Sequence, residues 1–376
     1  MSMQAVKAVA TAAVVCGVIC GAALSAWTAA RHAPASAAAS ASLSRPGSMP
    51  GFYVVIAGLE VVVRASSDGH VTGSVAIPGS AESGREWVAA EVFGGQDDRH
   101  FVIAVSWGSD LFGVAQVVLF RLAISPDGRP GRLAPLGAGF DRTGEPLIGA
   151  ALSPDGSMLA LSLVHEFPAG PLYGIVEIIN LVTGGTRTWA GQSRPGDWAG
   201  VPAWASDRTV VVPWWHSTSA AAAVMLPPGM IPAVVTGIRQ IDAAQPGGSL
   251  AAARLAAFPV PVRGLRSAVI TPGGGEVVAS SCRAAGNTAT AQVVGLSAAN
   301  GRLIGVLGTY TARFSNADYA LGSTYASCQV LSVTGDGDHV LIQAFAFGRI
   351  DNGVFTALPG TPTIGVPVFA KVFAAW

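Results

Sequence analysis

One phrase recurs at long, roughly even intervals along this sequence: an apolar run, a Pro/Asp/Gly turn, and a second apolar run. The best copy covers residues 151–163, where Ser153-Pro154-Asp155-Gly156 separates the two runs. Proline fixes φ at the first turn position, aspartate caps the turn, and glycine supplies the positive φ that the turn needs. Enrichment in β-branched residues between such turns favours strands over helices. The phrase therefore predicts a chain built from repeated strand pairs.

Six spans follow the same order: strand, polar turn, strand, variable loop, strand, glycine turn, strand. The first turns of the second to sixth spans are Gln96–Arg99, Pro154–Gly156, Ser206–Asp207, Pro272–Gly274 and Gly335–Asp338. The strands predicted around the turns of the third and fourth spans are Leu147–Leu152, Met158–Val164, Val201–Trp204 and Thr209–Trp214. No stretch after residue 50 has the caps and the period of a long amphipathic helix. Four-stranded units that repeat in this way stack radially in a β-propeller. We predict an all-β propeller of six four-stranded blades over residues 52–376, with seven blades as the alternative.

The two ends of the predicted propeller are expected to share one blade. The first span, from Phe52 to Pro78, is short by one strand. Residues 366–371 could supply that strand, because joining the chain ends closes the ring and removes exposed sheet edges. We therefore predict that the C-terminal region completes blade 1.

The turn sequences resemble those of WD-type and related bacterial propeller repeats. The resemblance is strongest at Leu152-Ser153-Pro154-Asp155-Gly156, and weaker copies lie at 124–128 and 270–274. By pattern it covers residues 52–376. It implies a generic bacterial β-propeller, a fold that hosts many functions.

The N-terminus has the features of an export or anchoring segment. Lys7 precedes an uncharged apolar stretch from Ala8 to Ala30, which Arg31 and His32 close. Residues 1–32 are predicted to form an apolar helix that is either an uncleaved signal anchor or a cleaved signal peptide. Residues 33–50 are rich in Ala, Ser and Pro and predict a disordered linker. We expect a single membrane span with an extracytoplasmic domain, or a secreted domain after cleavage.

Two cysteines lie in the predicted propeller, Cys282 and Cys328. In an oxidising compartment they could form a disulfide. Two separate buried thiols are the alternative, because free cysteine is commonly buried.

Composition and motifs restrict the function. Acidic and basic residues balance at 22 each, which gives no reason to expect a nucleic acid as partner. The sequence contains no Gly-x-Ser-x-Gly elbow, phosphate-binding loop or dinucleotide fingerprint. The six histidines lack the spacing of metal ligands. We therefore predict no catalytic residue, no metal site and no cofactor.

The predicted working surface is the face on which the variable loops open, since functional residues favour loops held by a rigid scaffold. Five of the nine tryptophans lie between residues 189 and 215, and tryptophans can form binding platforms or fill the spaces between blades. Trp189 and Trp204 sit in strand patterns and are expected to be core residues. We place the predicted binding residues in the variable loops of the blades and in the loops between blades: Trp107, Asp110, His165, Glu166, Trp198, Trp214, Trp215, His216 and Arg349.

These features favour a membrane-tethered interaction scaffold of the cell envelope that binds a protein or a cell-wall glycan. One alternative is a propeller hydrolase, glycosidase-like or peptidase-like, which would need two neighbouring carboxylates for work on glycans. The carboxylates available on the variable face are Asp110, Glu166, Asp197, Asp318 and Asp351. A purely structural envelope module is the other alternative.

Overall fold

The computed structural model describes the folded part of the chain with several gaps. The described residues are 49–78, 87–94, 99–107, 116–137, 147–165, 173–191, 196–217, 233–257, 265–314, 328–334, 337–343, 346–358 and 374–376. The predicted N-terminal helix and almost all of the predicted linker lie outside these residues. No helix within the described ranges is long and apolar enough to cross a bilayer.

The described structure is almost entirely strand, with one short 3-10 helix at Leu250–Ala252. The first strands in chain order are β1 (Phe52–Ala57), β2 (Glu60–Ala65), β3 (Val71–Ala76), β4 (Trp87–Gly94), β5 (His100–Trp107), β6 (Gln116–Ala123), β7 (Ala134–Pro135), β8 (Leu147–Leu152), β9 (Met158–His165), β10 (Tyr173–Asn180), β11 (Thr186–Ala190), β12 (Asp197–Ala199) and β13 (Ala203–Ser206). The remaining strands are β14 (Thr209–Ser217), β15 (Ala233–Asp242), β16 (Gly248–Ser249), β17 (Arg254–Ala257), β18 (Ser267–Ile270), β19 (Glu276–Ala285), β20 (Thr288–Ser297), β21 (Leu303–Arg313), β22 (Gln329–Val333), β23 (His339–Gln343), β24 (Phe347–Asp351), β25 (Val354–Ala357) and β26 (Ala374–Ala375).

Apart from the two-residue strand β16, these strands form six antiparallel sheets, which are the blades of a propeller. From the inside outwards their orders are β26-β1-β2-β3, β4-β5-β6-β7, β8-β9-β10-β11, β12/β13-β14-β15-β17, β18-β19-β20-β21 and β22-β23-β24-β25. The inner strands of successive blades contact one another in this order, except that blade 4 contacts β18 through its second strand, β14; β22 returns to β26, so the ring is closed. The prediction of six blades is confirmed, and nothing in the described ranges supports a seventh. WD-type repeats are not confirmed, because the Trp-Asp dipeptide occurs nowhere in the sequence.

The ring closes through the two ends of the chain, as predicted. Strand β26 pairs with β1, with Val54 opposite Ala375 and Val55 opposite Ala374. The predicted closing segment, residues 366–371, lies outside the described residues, and the pairing that is described occurs three residues further on. The indole of Trp376, directly after β26, is buried in a cluster with Tyr53 and Phe347.

The turns that defined the repeat behave as their sequence predicts. In blade 3, the Ser153 hydroxyl donates to the Asp155 carboxylate at 2.6 Å, and the Ser157 amide donates to the same carboxylate at 3.0 Å. Gly156 completes the turn with φ +68°. These hydrogen bonds lower the pKa of Asp155 to about 2, and the bond from the Ser153 hydroxyl has the largest effect.

Asp155→Ala should therefore destabilise the protein in a pH-dependent way. A carboxylate whose pKa is lower in the folded state stabilises the fold above its unfolded pKa, and this contribution disappears as the pH falls through the folded pKa. Because the turn is exposed to water, we expect a loss of about 0.5–1 kcal/mol at pH 7. The loss should shrink from about pH 4 downwards and vanish near pH 2. Urea unfolding of wild type, Asp155→Ala and the exposed control Asp207→Ala at several pH values measures it; an unchanged difference at low pH would contradict this account.

Blade 4 departs from the regular plan at its inner edge. The predicted first strand, 201–204, is instead two short strands, β12 and β13, which both pair with β14. The regular strand is interrupted at Gly200, whose amide donates to the carbonyl of Pro213 at 2.8 Å. After β15 the chain crosses to blade 3, where β16 adds to the outer edge of β11 in parallel. This excursion includes the 3-10 helix and covers the seam between blades 3 and 4.

Candidate binding site at the end of blade 4

Several predicted binding residues meet where β12 begins and β14 ends. Asp197 pairs with His216, Trp198 with Trp215, and Ala199 with Trp214. The loop between blades and the loop between the second and third strands both open from this end, so it belongs to the predicted variable face. The prediction that residues 214–216 lie in a loop is wrong, because β14 continues through them and pairs with β15. We call Asp197, Trp198, Trp215 and His216 the blade 4 site.

A histidine–aspartate pair forms the polar part of the blade 4 site. Nδ1 of His216 lies 2.7 Å from Oδ1 of Asp197, and the side chains are 35% and 5% exposed. An ionised carboxylate only accepts hydrogen bonds, so a neutral His216 carries its proton on Nδ1 and presents Nε2 as an acceptor. Nε2 has no partner among the described residues. The buried aspartate thus fixes the ring, while the ring itself is open to ligands.

A buried arginine lies behind this pair. The guanidinium of Arg239 is 4.4 Å from the ring centre of Trp214 and donates to the carbonyls of Ala251 and Ala253 at 3.0 and 2.7 Å. Burial lowers the pKa of Arg239, and the charge of Asp197 acts in the opposite direction. The carboxylate of Asp197 therefore opposes part of the effect of burial on the charge of Arg239. Trp214 is buried beneath this arginine and positions the site without being available to a ligand.

Two tryptophans form the apolar part of the site. The rings of Trp198 and Trp215 are nearly parallel, with an interplanar angle of 5° and centroids 6.3 Å apart. Trp198 is buried and packs with Val164 of blade 3, whereas Trp215 is partly exposed. The Nε1 atom of Trp215 is buried beside Gly200, where a Cβ would come within 2.5 Å of it. The absence of a side chain at residue 200 therefore allows Trp215 to adopt this position.

Two other predicted binding residues lie at strand ends on this face, and only their backbones are described. They are His165 and Trp107, which end strands β9 and β5. The blade 3 strand opposite His165 lies against blade 4, since a Cβ on Gly174 would be 2.9 Å from Cα of Trp198. The strand ends that carry His165 and His216 therefore belong to adjacent blades. Asp110 and Glu166 lie outside the described residues.

Arg349 is not part of this face. The prediction that it lies in a variable loop is wrong, because it sits within β24 near the opposite end of blade 6. Its Nε is 2.6 Å from Oδ2 of Asp351, whose Oδ1 is 2.7 Å from Nδ1 of His339. The guanidinium also donates to the carbonyl of Ser66 in blade 1. Arg349 therefore fastens blade 6 to blade 1 across the seam at which the ring closes.

Cys282 and Cys328 form a disulfide, with their Cα atoms 5.9 Å apart, which is within the usual range. The bond joins β19 of blade 5 to the residue before β22 of blade 6. β19 ends and β22 begins on the face that carries the blade 4 site. The two residues are therefore not separate thiols.

The described residues contain no metal-binding group and bring together no two of the carboxylates predicted for a glycosidase. No group of three His, Cys, Asp or Glu that could hold a metal ion lies within the described ranges. Of the carboxylates available to a glycosidase, Asp197 is paired with His216 on one face, and Asp351 is paired with His339 near the other. Asp318, like Asp110 and Glu166, lies outside the described residues.

Sequence reasoning found Asp197 and His216 but missed Arg239. The arginine stands in an apolar strand run, Val235-Thr236-Gly237-Ile238-Arg239, where a lone charge is unusual. That position could have indicated a buried cation with a partner. The partners lie on a distant excursion of the chain, so the sequence alone could not supply them.

Three solved structures match this chain at low similarity. The propeller of Dos1 is 10% identical with a TM-score of 0.36, and the match covers 81% of this chain and 66% of Dos1. Dipeptidyl peptidase 4 of Porphyromonas gingivalis is 10% identical with a TM-score of 0.39, covering 84% of this chain and 46% of the peptidase. The propeller domain of the Trilobed protease from Pyrococcus furiosus is 10% identical with a TM-score of 0.30, covering 58% of each chain. Scores this low carry no inference about what this chain does.

No protein-family model and no curated protein matches the sequence. The class of this protein is therefore set by its own geometry. It is a six-bladed β-propeller whose blade 4 presents a fixed histidine beside paired tryptophans.

A double-mutant cycle tests the charge balance behind the site. Asp197→Ala should destabilise the protein by about 2–4 kcal/mol, because it removes the buried carboxylate that pairs with His216 and opposes the charge of the buried Arg239. Combining Asp197→Ala with Arg239→Met should recover at least about 1 kcal/mol relative to the sum of the single changes. Urea denaturation of the four proteins measures this coupling. Additive effects would show that the two charges do not interact.

Proposed function

We propose that the protein is an exported β-propeller, held at the membrane by residues 1–32, which binds a protein or a cell-wall glycan through the blade 4 site. The observation that carries the proposal is the half-exposed His216, fixed by the buried Asp197 beside the paired tryptophans. A polar group that is both ordered and accessible is suited to orient a ligand. The proposal includes a relation to WD-type repeats, which the Ser-Pro-Asp-Gly turns of blades 2 and 3 support.

Two features support export. The Cys282–Cys328 disulfide is typical of proteins that fold in oxidising compartments. The uncharged stretch from Ala8 to Ala30 is long enough to act as an anchor. In the cytosol the disulfide would be exposed to a reducing medium.

Export can be tested in bacterial cells that produce the full chain with a C-terminal epitope tag. Protease added to intact spheroplasts should degrade the propeller. A thiol-specific reagent, added to denatured but unreduced protein, should fail to label Cys282 and Cys328 because they are joined in a disulfide. Deleting residues 1–32 should protect the domain from protease and leave both thiols labelled. A full-length chain that is protease-resistant in spheroplasts and fully labelled would contradict export.

Binding can be tested by co-sedimenting the purified protein with isolated cell envelopes. Wild type should sediment with the envelopes, and His216→Ala should bind much more weakly. His70→Ala is a matched control, because His70 forms the same kind of pair with Asp68, at 2.6 Å, near the opposite end of the ring. Equal binding by wild type and His216→Ala would favour a purely structural role.

One observation favours the hydrolase as a second candidate. A carboxylate that holds Nδ1 of a histidine leaves Nε2 able to take a proton from water or from a nucleophile. His216 and Asp197 have this arrangement. Hydrolysis of chromogenic glycosides, esters or peptides that is abolished by His216→Ala would favour the enzyme, whereas binding without turnover favours the scaffold.

A further inference from the structure

We infer that the blade 4 site is a carbohydrate subsite, in which Trp215 contacts one face of a sugar ring and Nε2 of His216 accepts a hydrogen bond from a sugar hydroxyl. This inference rests on the proposed function and narrows its partner to the cell-wall glycan. It is carried by the hydrogen-bonding state of the site, its aromatic surface and its charge.

With a neutral imidazole at residue 216, the hydrogen bonding of the site selects for a ligand that donates. The Asp197 carboxylate holds Nδ1–H of His216 at 2.7 Å, so the neutral ring offers only an acceptor to solvent. Asp197 is buried and cannot itself receive a ligand. A hydroxyl group can donate to Nε2, whereas a carboxylate or phosphate oxygen cannot.

The aromatic surface suits the flat, C–H-bearing face of a sugar. Trp215 is held by the parallel ring of Trp198 and by the close approach of Gly200, so little side-chain entropy is lost on binding. Neighbouring residues of a strand project to opposite sides of the sheet. A ligand that contacts both Trp215 and His216 therefore lies across the end of β14, where the chain leaves the sheet.

The charges behind the site favour a neutral, hydroxyl-rich ligand over an ionic one. The ionised side chains behind the site, Asp197 and Arg239, are both buried and have opposite sign. A charged ligand would therefore meet no excess of one sign of charge from these two side chains.

The test compares two preparations from the same cells: intact envelopes, and cell-wall glycan stripped of protein by protease and hot detergent. Full-length wild type should sediment with both. Trp215→Ala and His216→Ala should each weaken binding to the stripped glycan about tenfold or more, which corresponds to the loss of a single well-placed contact. Trp215→Tyr keeps an aromatic ring and should bind within about threefold of wild type. The control His70→Ala should bind as wild type does.

The outcomes separate this inference from the function on which it rests. If stripped glycan binds nothing, while intact envelopes bind wild type but not His216→Ala, the partner is a protein and the carbohydrate subsite is wrong. If both site variants bind both preparations as wild type does, the proposed function fails as well. If circular dichroism shows that Trp215→Ala is unfolded, binding by His216→Ala is compared with that of wild type instead, because the His216 side chain is half-exposed.

Discussion

Trp376→Ala should lower the free energy of unfolding by about 3–5 kcal/mol, the range for removing a large buried aromatic side chain. The indole of Trp376 is 4% exposed and packs with Tyr53, Leu341 and Phe347, which belong to blades 1 and 6. Strand β26 contributes only two residues to the pairing with β1, so much of the stability of this closure comes from side-chain packing. The substitution would therefore weaken the ring where its two ends meet. Urea denaturation, followed by circular dichroism, measures the loss.

Two further variants make the Trp376 result specific. Trp376→Phe retains most of the buried apolar surface and should cost less than the alanine variant. Val354→Ala, at a side chain that is 63% exposed on the outer strand β25, should change the stability by less than about 0.5 kcal/mol. A Trp376→Ala protein as stable as Val354→Ala would show that residues 374–376 do not close the ring.

Removing the disulfide should have a comparable effect. The bond spans 46 residues of sequence, and the chain-entropy treatment gives about 4 kcal/mol for a loop of that length. The double variant Cys282→Ala/Cys328→Ala should therefore unfold at a clearly lower urea concentration than oxidised wild type. Because the bond joins blades 5 and 6, the loss should loosen the contact between them.

Reduction provides the control for the disulfide. Dithiothreitol should lower the midpoint of wild type towards that of the double variant and leave the double variant unchanged. The same midpoint for oxidised wild type and the double variant would contradict a stabilising bond. Labelling of Cys282 and Cys328 in the untreated, folded protein would show that the bond does not form.

The repeat was predictable because the turns and the alternation of strands are local. The predicted strand at 147–152 has the observed bounds, and the strand predicted from residue 158 continues only one residue further than expected. The break in the inner strand of blade 4 was missed, because it depends on how Trp215 fits against Gly200. The same holds for β16, which pairs with a different blade after a crossing of the seam.

For the blade 4 site, the sequence predicted which residue types lie close together along the chain, but not which of their side chains are buried or paired. The run Trp214-Trp215-His216 was conspicuous, but its division into a buried ring, a partly exposed ring and a half-exposed imidazole required the register with β12. Arg349 was misplaced because Gly348 and Asp351 around it suggested a turn, whereas the turn follows at Asn352-Gly353. Burial and pairing across blades are long-range properties that composition does not encode.

Chemical footprinting of the two histidine–aspartate pairs tests most directly whether the end of blade 4 is the binding surface. Diethyl pyrocarbonate modifies accessible imidazoles, and both His216 and His70 are accessible, near opposite ends of the ring. Adding cell envelopes should slow the modification of His216 strongly and leave that of His70 unchanged, as read by mass spectrometry. Equal rates at His216 with and without envelopes, under conditions in which the protein sediments with them, would contradict the account.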